Sequence, residues 1–203
     1  MSDNPDKPPH QNPALPDFWD HRYRNRVTPW DQGGVPAALR AFAESRKDRP
    51  RTLVPGCGSA YEACYLAERG WDVTALDYSQ AAIDAARATL GTHAHCLLLA
   101  DFFDFEFGEP YQLIYERAFM CSMPRRLWPD YAQRCGDLLV PGGLLAGMFF
   151  FSEEPKGPPF GIGMDALRDL LDPCFVLEAD TPAKDSIPVF SGRERWQVWR
   201  RRG

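Results

Sequence analysis

The sequence predicts an α/β fold, a Rossmann-like, doubly wound sheet of seven strands that is mostly parallel with an antiparallel last strand. Three observations lead to this prediction. Short apolar runs alternate with helical patterns from Arg51 onward. A glycine-rich turn at residues 55–58 separates the first run from the first helix. Asp77 then follows the second run, about twenty positions after that turn.

At 203 residues, the chain fits one domain. Residues 1–14 are polar and rich in proline, so we expect a disordered lead there and a single domain over residues 15–203. An aromatic cluster opens that domain, at Phe18, Trp19, Tyr23 and Trp30. With a helix predicted over residues 36–46, this cluster indicates an N-terminal lid over residues 15–46.

The first strand is predicted at residues 51–54. Ser59 and Glu62 have the spacing of a capping box, in which two side chains satisfy free N–H groups at a helix start. The helix would end at Gly70, since glycine readily adopts the conformation that terminates helices.

Strand two is predicted at residues 72–76, and the helix after it begins behind Ser79 and ends at Gly91. Two more apolar runs predict strands three and four, at residues 96–100 and 112–115.

A helix over residues 129–139 precedes a Pro-Gly-Gly break and a fifth strand at residues 144–151. A short helix is predicted at residues 164–171. Two strands, at residues 175–179 and 195–200, are predicted to form a closing hairpin. A single domain that closes with a hairpin is typical of a small methyltransferase, whereas a dehydrogenase usually adds a substrate domain.

Charge and composition exclude several function classes. The net charge of −5 argues against a nucleic-acid partner. The sequence shows neither an apolar run that could span a membrane nor an apolar signal segment, so we expect a cytoplasmic protein. The six cysteines lack CxxC pairs, and His93 and His95 are expected on a strand without a third ligand, so no disulfide framework or metal site is predicted. We expect a monomer.

The glycine turn predicts an adenine-nucleoside site at the carboxyl edge of the sheet. Tyr61 stands where a dinucleotide site usually has a third small residue, which favours S-adenosylmethionine over NAD. The turn could also be an unliganded strand–turn–helix. An NAD-binding reductase and a catalytically silent cofactor-binding protein remain alternatives.

Longer motifs follow in order along the chain. They are Phe-Trp-Asp-His-Arg-Tyr at 18–23, Thr-Pro-Trp-Asp-Gln-Gly at 28–33, Val-Pro-Gly-Cys-Gly at 54–58, Asp-Tyr-Ser at 77–79 and Tyr-Glu-Arg-Ala at 115–118. Over nearly all of residues 18–200, the sequence resembles the thiopurine S-methyltransferase family and its thiol and halide methyltransferase relatives.

The resemblance implies S-adenosylmethionine as cofactor. It implies that Asp77 binds the ribose, that Tyr78 packs on the adenine, and that Asp101 accepts a hydrogen bond from the adenine amino group. Arg117 would face both cofactor and acceptor as the catalytic residue. The complete cofactor set would be Trp19, Trp30, Pro55, Gly56, Cys57, Gly58, Asp77, Tyr78, Asp101, Phe102 and Arg117.

The implied acceptor is a small soft nucleophile, above all a thiol such as a thiopurine, a thiophenol or a sulfide-like molecule. A thiol fits because its pKa of about 8.5 calls for no strong base. Residues 119–124 supply aromatic, methionine and cysteine side chains for a polarisable wall. The expected acceptor residues are Phe18, Phe119, Phe150 and Phe160. Halide, thiocyanate and selenium or tellurium species are alternative acceptors.

The predicted site residues also have structural interpretations. Asp77 could mark a helix entry, and Asp101 could belong to an acidic turn. Arg117 could pair with Glu116 or Asp130. The aromatic residues could be core residues that contact no ligand, namely Phe18, Trp19, Trp30, Phe150 and Phe160.

Overall fold

The computed structural model describes residues 8–31 and 33–203, and within them it contains one mixed sheet of seven strands. The strands are β1 (Thr52–Pro55), β2 (Val73–Asp77), β3 (Leu97–Leu99), β4 (Tyr111–Arg117), β5 (Leu139–Phe150), β6 (Phe175–Pro182) and β7 (Glu194–Arg201). The helices are α1 (Pro16–Arg24), α2 (Ala37–Ser45), α3 (Tyr61–Glu68), α4 (Gln80–Leu90), α5 (Trp128–Leu138) and α6 (Met164–Leu171).

The strand order is β3-β2-β1-β4-β5-β7-β6. Neighbouring strands are parallel from β3 to β5, whereas β7 is antiparallel to both β5 and β6. The predicted class, the strand number and the antiparallel last strand are therefore confirmed. The order reverses between β1 and β4, and a sheet of this kind binds ligands in the crevice outside the carboxyl ends of such strands.

Helices cover both faces of the sheet. On one face, α5 and α6 bury Tyr131 and Leu167 against the sheet residues Ile114 and Trp199. The other face packs against α2, α3 and α4, whose buried side chains include Leu39, Leu66 and Leu90. Both faces of the sheet are therefore covered by apolar clusters, which is typical of parallel sheets in α/β folds.

The two predicted helix starts have different outcomes. Ser79 is the N-cap of α4, because its hydroxyl accepts a hydrogen bond from the Ala82 amide at 3.2 Å, and Gly91 ends that helix as predicted. The prediction of a capping box at the start of α3 is wrong. Its N-cap is Ala60 in a left-handed conformation, while Ser59 donates to Asp31 and Glu62 pairs with Arg117. The Ser59 and Glu62 side chains bond to residues distant in sequence and therefore do not cap the helix.

Strand β5 begins at Leu139, directly after α5, earlier than predicted. Leu139 pairs with Tyr111 and Leu144 pairs with Leu113, so the Pro-Gly-Gly segment bulges out of the ladder and does not precede the strand. Gly142 permits this with a φ of 78°.

Two further segments differ from prediction. His93 and His95 lie in a 3-10 helix, Gly91–Cys96, and not on a strand. Of the expected disordered lead, residues 1–7 lie outside the described residues, but residues 9–11 form a 3-10 turn, and Pro13 accepts hydrogen bonds from two side chains of the domain. Within the described ranges, no helix combines the length and apolarity needed to cross a membrane.

Candidate functional site

A cavity of about 600 Å³ opens at the carboxyl edge of the sheet. Its volume is in the range of small-molecule sites. Its lining includes the ends of β1, β2 and β4, residues of α1 and the chain around Trp30. Residues 12–15, 158–159 and 189–190 also line it.

The glycine turn predicted from the sequence lines this cavity with Pro55, Gly56, Cys57 and Gly58. Gly56 and Gly58 have left-handed φ angles of 57° and 52°. A Cβ atom at Gly56 would lie 2.3 Å from Cδ2 of Phe119, and one at Gly58 would lie 2.6 Å from the Tyr23 hydroxyl. Both glycines are required by conformation and by close packing.

Asp77 lies at the end of β2 beside this turn and is 8% exposed. One carboxylate oxygen accepts from the Gly58 amide at 3.1 Å, and the other from the Ser79 amide at 2.9 Å. Burial raises the pKa of this carboxyl to about 6, although these amides oppose the shift. Asp77 therefore does mark a helix entry, and each oxygen retains capacity for a hydroxyl donor.

Tyr78 and Trp19 both line the cavity and are joined through the Pro13 carbonyl. The Trp19 indole donates to it at 3.0 Å, and the Tyr78 hydroxyl donates at 3.2 Å. Asp101, also on the lining, accepts from the Phe103 amide at 2.8 Å, as an acidic-turn residue does.

Phe102 borders the cavity, although it is 3% exposed and packs edge-on against Phe119. Trp30 also lines the cavity, with its ring 5.4 Å from that of Trp19 and 6.1 Å from that of Tyr23. Trp19 and Trp30 thus pack together and also border the cavity.

Two acidic residues that were not predicted from the sequence join the N-terminal segment to the rest of the domain. Asp20 accepts from the Ser79 hydroxyl at 2.6 Å and from the Ala81 amide at 3.0 Å. Asp31 accepts from the Ser59 hydroxyl. The sequence offered no signal for these contacts, because each joins residues that are 28 or more positions apart.

Arg117 ends β4 and lines the cavity. Its Nη1 atom donates to Oε1 of Glu62 at 2.6 Å, with the two side chains 18% and 11% exposed. Burial acts to lower the pKa of Arg117, but Glu62 outweighs it and the pKa is raised. The prediction that Arg117 could pair with Glu116 or Asp130 is wrong. Glu116 instead accepts from the amides of Phe119 and Met120.

Of the four expected acceptor residues, only Phe119 lines the cavity, next to Cys121 and Met123. Phe18 is 7% exposed beneath the Arg22 guanidinium, which is 4.4 Å from its ring centroid. Phe150 packs against Phe190 at 5.3 Å.

Phe160 lies under Arg125 at 5.7 Å, and its amide donates to the Cys121 carbonyl. Phe18 and Phe150 are buried and Phe160 is half-buried, and none of the three is among the residues that line the cavity. Residues missed by the sequence reasoning complete the lining, among them Arg22, Tyr115, Val189 and Phe190.

The thiopurine S-methyltransferase family model matches residues 14–202. The chain belongs to the thiopurine S-methyltransferase family. It is 30% identical to a thiopurine S-methyltransferase of Methylococcus capsulatus, covering 85% of this chain and 87% of that protein. It is also 31% identical to a probable thiol methyltransferase 2 of Arabidopsis thaliana, covering 76% of this chain and 71% of that protein.

A thiocyanate methyltransferase 1 of Brassica oleracea is 27% identical over 90% of this chain and 84% of its own length. Among solved structures, a didemethyltoxoflavin N1-methyltransferase of Burkholderia thailandensis, crystallised with S-adenosylhomocysteine, superposes with a TM-score of 0.73 at 18% identity. It covers all of this chain, and this chain covers 94% of it.

The family membership and the fold make this chain an S-adenosylmethionine-dependent methyltransferase. The cavity fits that cofactor. The two glycines leave space that a Cβ atom would fill, and backbone amides are the hydrogen-bond donors to the buried Asp77 carboxylate among the described residues.

Proposed function

We propose that this enzyme transfers a methyl group from S-adenosylmethionine to a small thiol by in-line displacement. The observation that carries the proposal is the cavity wall beyond β4, where Phe119, Cys121 and Met123 border the space next to Arg117. Aromatic and sulfur side chains are polarisable and suit a sulfur acceptor.

The cofactor would occupy the end of the cavity formed by the glycine turn, Asp77 and the lid. Asp77 would bind the ribose hydroxyls, Tyr78 would pack on the adenine, and Asp101 would accept from its amino group. Pro55, Cys57 and Phe102 would border the cofactor, and Trp19 and Trp30 would cover it. Bound there, S-adenosylmethionine supplies an electrophilic methyl group on a sulfonium.

The chain's own residues would align the acceptor and exclude water, which are the main tasks in this displacement. In the described part of the chain, no histidine lines the cavity. That lining suits a thiol, which ionises far more readily than an alcohol. Arg117 would favour the thiolate through its positive charge and would contact both reactants.

Thiocyanate or another soft anion is the second candidate acceptor. The similarity to a thiocyanate methyltransferase favours it, as do Arg22 and Arg117 on the cavity lining. Halide, selenium and tellurium species belong to the same class, because none requires deprotonation by the enzyme.

We also infer a cytoplasmic, monomeric enzyme without a nucleic-acid or membrane partner. The net charge of −5 supports the first exclusion. All six cysteines are free thiols, which fits a reducing compartment. The domain would comprise residues 15–203, with residues 15–46 as its lid and residues 1–14 as a lead. Light scattering coupled to gel filtration measures the oligomeric state, and a dimer mass would contradict this inference.

An acceptor panel tests the proposal. Purified protein and S-adenosylmethionine are incubated with thiophenol, a thiopurine, methanethiol, sulfide, iodide or thiocyanate, and S-adenosylhomocysteine is quantified. We expect the thiols to give the highest kcat/KM. Turnover of the anions alone would move the assignment to the second candidate, and no turnover with any of them would reject the whole acceptor class.

A further inference from the structure

Residues 152–161 connect β5 to the chain before α6 and contain three prolines, so this segment is named the proline loop. Two of the prolines, at residues 158–159, line the cavity. The ends of the loop meet, because the flanking residues Phe151 and Ile162 form an isolated parallel bridge. Residues 153–157 are exposed to solvent, so burial alone does little to hold this part of the loop in place.

Arg125 joins the proline loop to the rest of the cavity. It lies two residues after Met123, which lines the cavity beyond β4. Its guanidinium makes four hydrogen bonds to three backbone carbonyls of the loop. Nη1 donates to Pro155 at 2.9 Å, Nη2 donates to Glu154 and to Gly161 at 2.8 Å each, and Nε donates to Gly161 at 3.2 Å. One side chain therefore bridges two separate parts of the loop.

Two aromatic rings fix the orientation of the Arg125 guanidinium. Its central carbon lies 5.5 Å from the ring centroid of Trp128 and 5.7 Å from that of Phe160. Trp128 is itself held, because its indole donates to the Met120 carbonyl at 3.0 Å. Phe160 belongs to the loop, and its amide donates to the Cys121 carbonyl at 2.7 Å. The loop is thus bonded to the segment that lines the cavity beyond β4.

The chemistry of these contacts requires an arginine. A guanidinium presents its donors in a rigid planar fork and stacks on aromatic rings, whereas a lysine ammonium is a single charged point on a flexible stem. Hydrogen bonds from a charged donor are also stronger than those between neutral groups. A loop that is ordered before a ligand arrives avoids the cost of being ordered during binding.

We propose that Arg125 is a positioning residue for the acceptor, because it holds the proline loop in place so that residues 158–159 are ordered before the acceptor binds. Arg125 acts through the loop, since it is not among the residues that line the cavity. Asp77 and the glycine turn are held by other contacts, so cofactor binding should not depend on Arg125. The role of Arg125 rests on the proposed function, which places the acceptor at this end of the cavity.

The first test is kinetic and uses Arg125→Lys, which keeps the positive charge but loses the planar fork. The KM for thiophenol should rise about tenfold, because the loop must then be ordered during binding. The KM for S-adenosylmethionine and kcat should stay nearly unchanged. A rise of the same size in both KM values would overturn the inference.

Arg51→Lys is the matched control for this variant. Arg51 also donates to a backbone carbonyl, that of Glu109 at 2.6 Å, and lies 4.7 Å from the ring centroid of Tyr111. It directly precedes β1 and is therefore at the amino edge of the sheet, away from the cavity. Arg51→Lys should leave both KM values unchanged. A tenfold rise of the thiophenol KM in this control would show a general loss of stability and overturn the role of Arg125.

The second test measures the mobility of the proline loop without any acceptor. Lys156 is exposed in the loop, and proteases cut exposed loops faster when they are mobile. We expect Arg125→Lys to increase the rate at which a lysine-specific protease cuts after Lys156 by about tenfold, and Arg51→Lys to leave that rate unchanged. An unchanged cleavage rate in Arg125→Lys, or faster cleavage with an unchanged thiophenol KM, would overturn the inference.

A second variant of the loop completes the test. Phe160→Leu removes the ring beside the Arg125 guanidinium but keeps the four hydrogen bonds, so both effects should be smaller than in Arg125→Lys. Larger effects would assign the holding of the loop to the ring and overturn the role of Arg125. Melting curves and S-adenosylhomocysteine affinity verify that each variant is folded. Wild-type enzyme inactive with every acceptor would refute the proposed function, whereas the cleavage rates test the hold of Arg125 on the loop independently.

Discussion

The two ends of the cavity are built in different ways. The cofactor end consists of strand ends and turns whose carboxylates are fixed by backbone amides, as in Asp77 with Gly58 and Ser79. The acceptor end consists of side chains from distant segments, with Phe119 facing the loop that contains Val189 and Phe190. Backbone groups hold a ligand in one geometry, whereas the side chains that line a cavity can be substituted without altering the fold.

In the proposed function Arg117 contacts both reactants, so its replacement should have the largest effect. Arg117→Ala leaves Glu62 buried without a partner, which should lower the free energy of unfolding by about 3 kcal/mol. Turnover should fall on the order of 10²-fold, by loss of the positive charge that favours the thiolate form of the acceptor. Affinity for S-adenosylhomocysteine should fall much less, as calorimetry would show.

Combining Arg117→Gln with Glu62→Gln is the control for that prediction. The double variant removes both charges, so it should recover stability in a urea melt but not turnover. Recovery of turnover would show that Arg117 serves only to neutralise Glu62.

Gly56 connects the two ends, because a Cβ atom there would meet Phe119. Gly56→Ala should cost about 2 kcal/mol of stability through its left-handed φ and the clash. It should also raise the KM of the acceptor by displacing the Phe119 ring. Gly142→Ala is the control, with a φ of 78° and open space around it, and it should lower the melting temperature without changing KM.

Asp77 should make cofactor binding depend on pH. Ribose hydroxyls would donate to the ionised carboxylate, so binding should lower its pKa from about 6. Affinity for S-adenosylhomocysteine should then weaken as the pH falls through about 6. Asp77→Asn should remove that dependence and weaken binding by about 1–3 kcal/mol at pH 7.5. Unchanged binding in calorimetry would remove Asp77 from the site.

The raised pKa of Asp77 also makes the free energy of unfolding depend on pH. Its folded pKa is raised above the ordinary 3.8, so the unfolded state holds this proton less tightly. Relative to Asp77→Asn, the wild-type free energy of unfolding should therefore fall as the pH rises from 3.8 to about 6. Urea melts at pH 4 and pH 7 measure this difference, and a change of opposite sign would contradict the burial argument.

The smallest effects are expected for two phenylalanine variants near the acceptor end, one at a residue that lines the cavity and one at a residue that packs beside it. Phe119→Leu should raise acceptor KM, because this ring borders the cavity. Phe150→Leu should lower stability by about 1 kcal/mol and leave KM alone, because its ring packs on Phe190. If Phe150→Leu also raised KM, the boundary of the acceptor end would have to be redrawn.

The strand, the glycine turn and the helix within residues 51–70 were predictable because their signals are local. The positions of Asp77 at the end of β2 and of Asp101 shortly after β3 were predictable for the same reason. The partners of Glu62, Arg117 and Asp31 were not predictable, because they join residues far apart in sequence. The packing of Phe150 against Phe190 was likewise not predictable, since a core phenylalanine and a lining phenylalanine have the same sequence pattern.

In the proposed function, a cofactor held by backbone amides and carboxylates faces a wall selective for sulfur. The initial rate of S-adenosylhomocysteine formation with thiophenol and with phenol, molecules that differ only in the accepting atom, tests this selectivity. We predict saturable turnover of thiophenol and none of phenol. Comparable turnover of phenol, or no turnover of thiophenol, would contradict the proposed function.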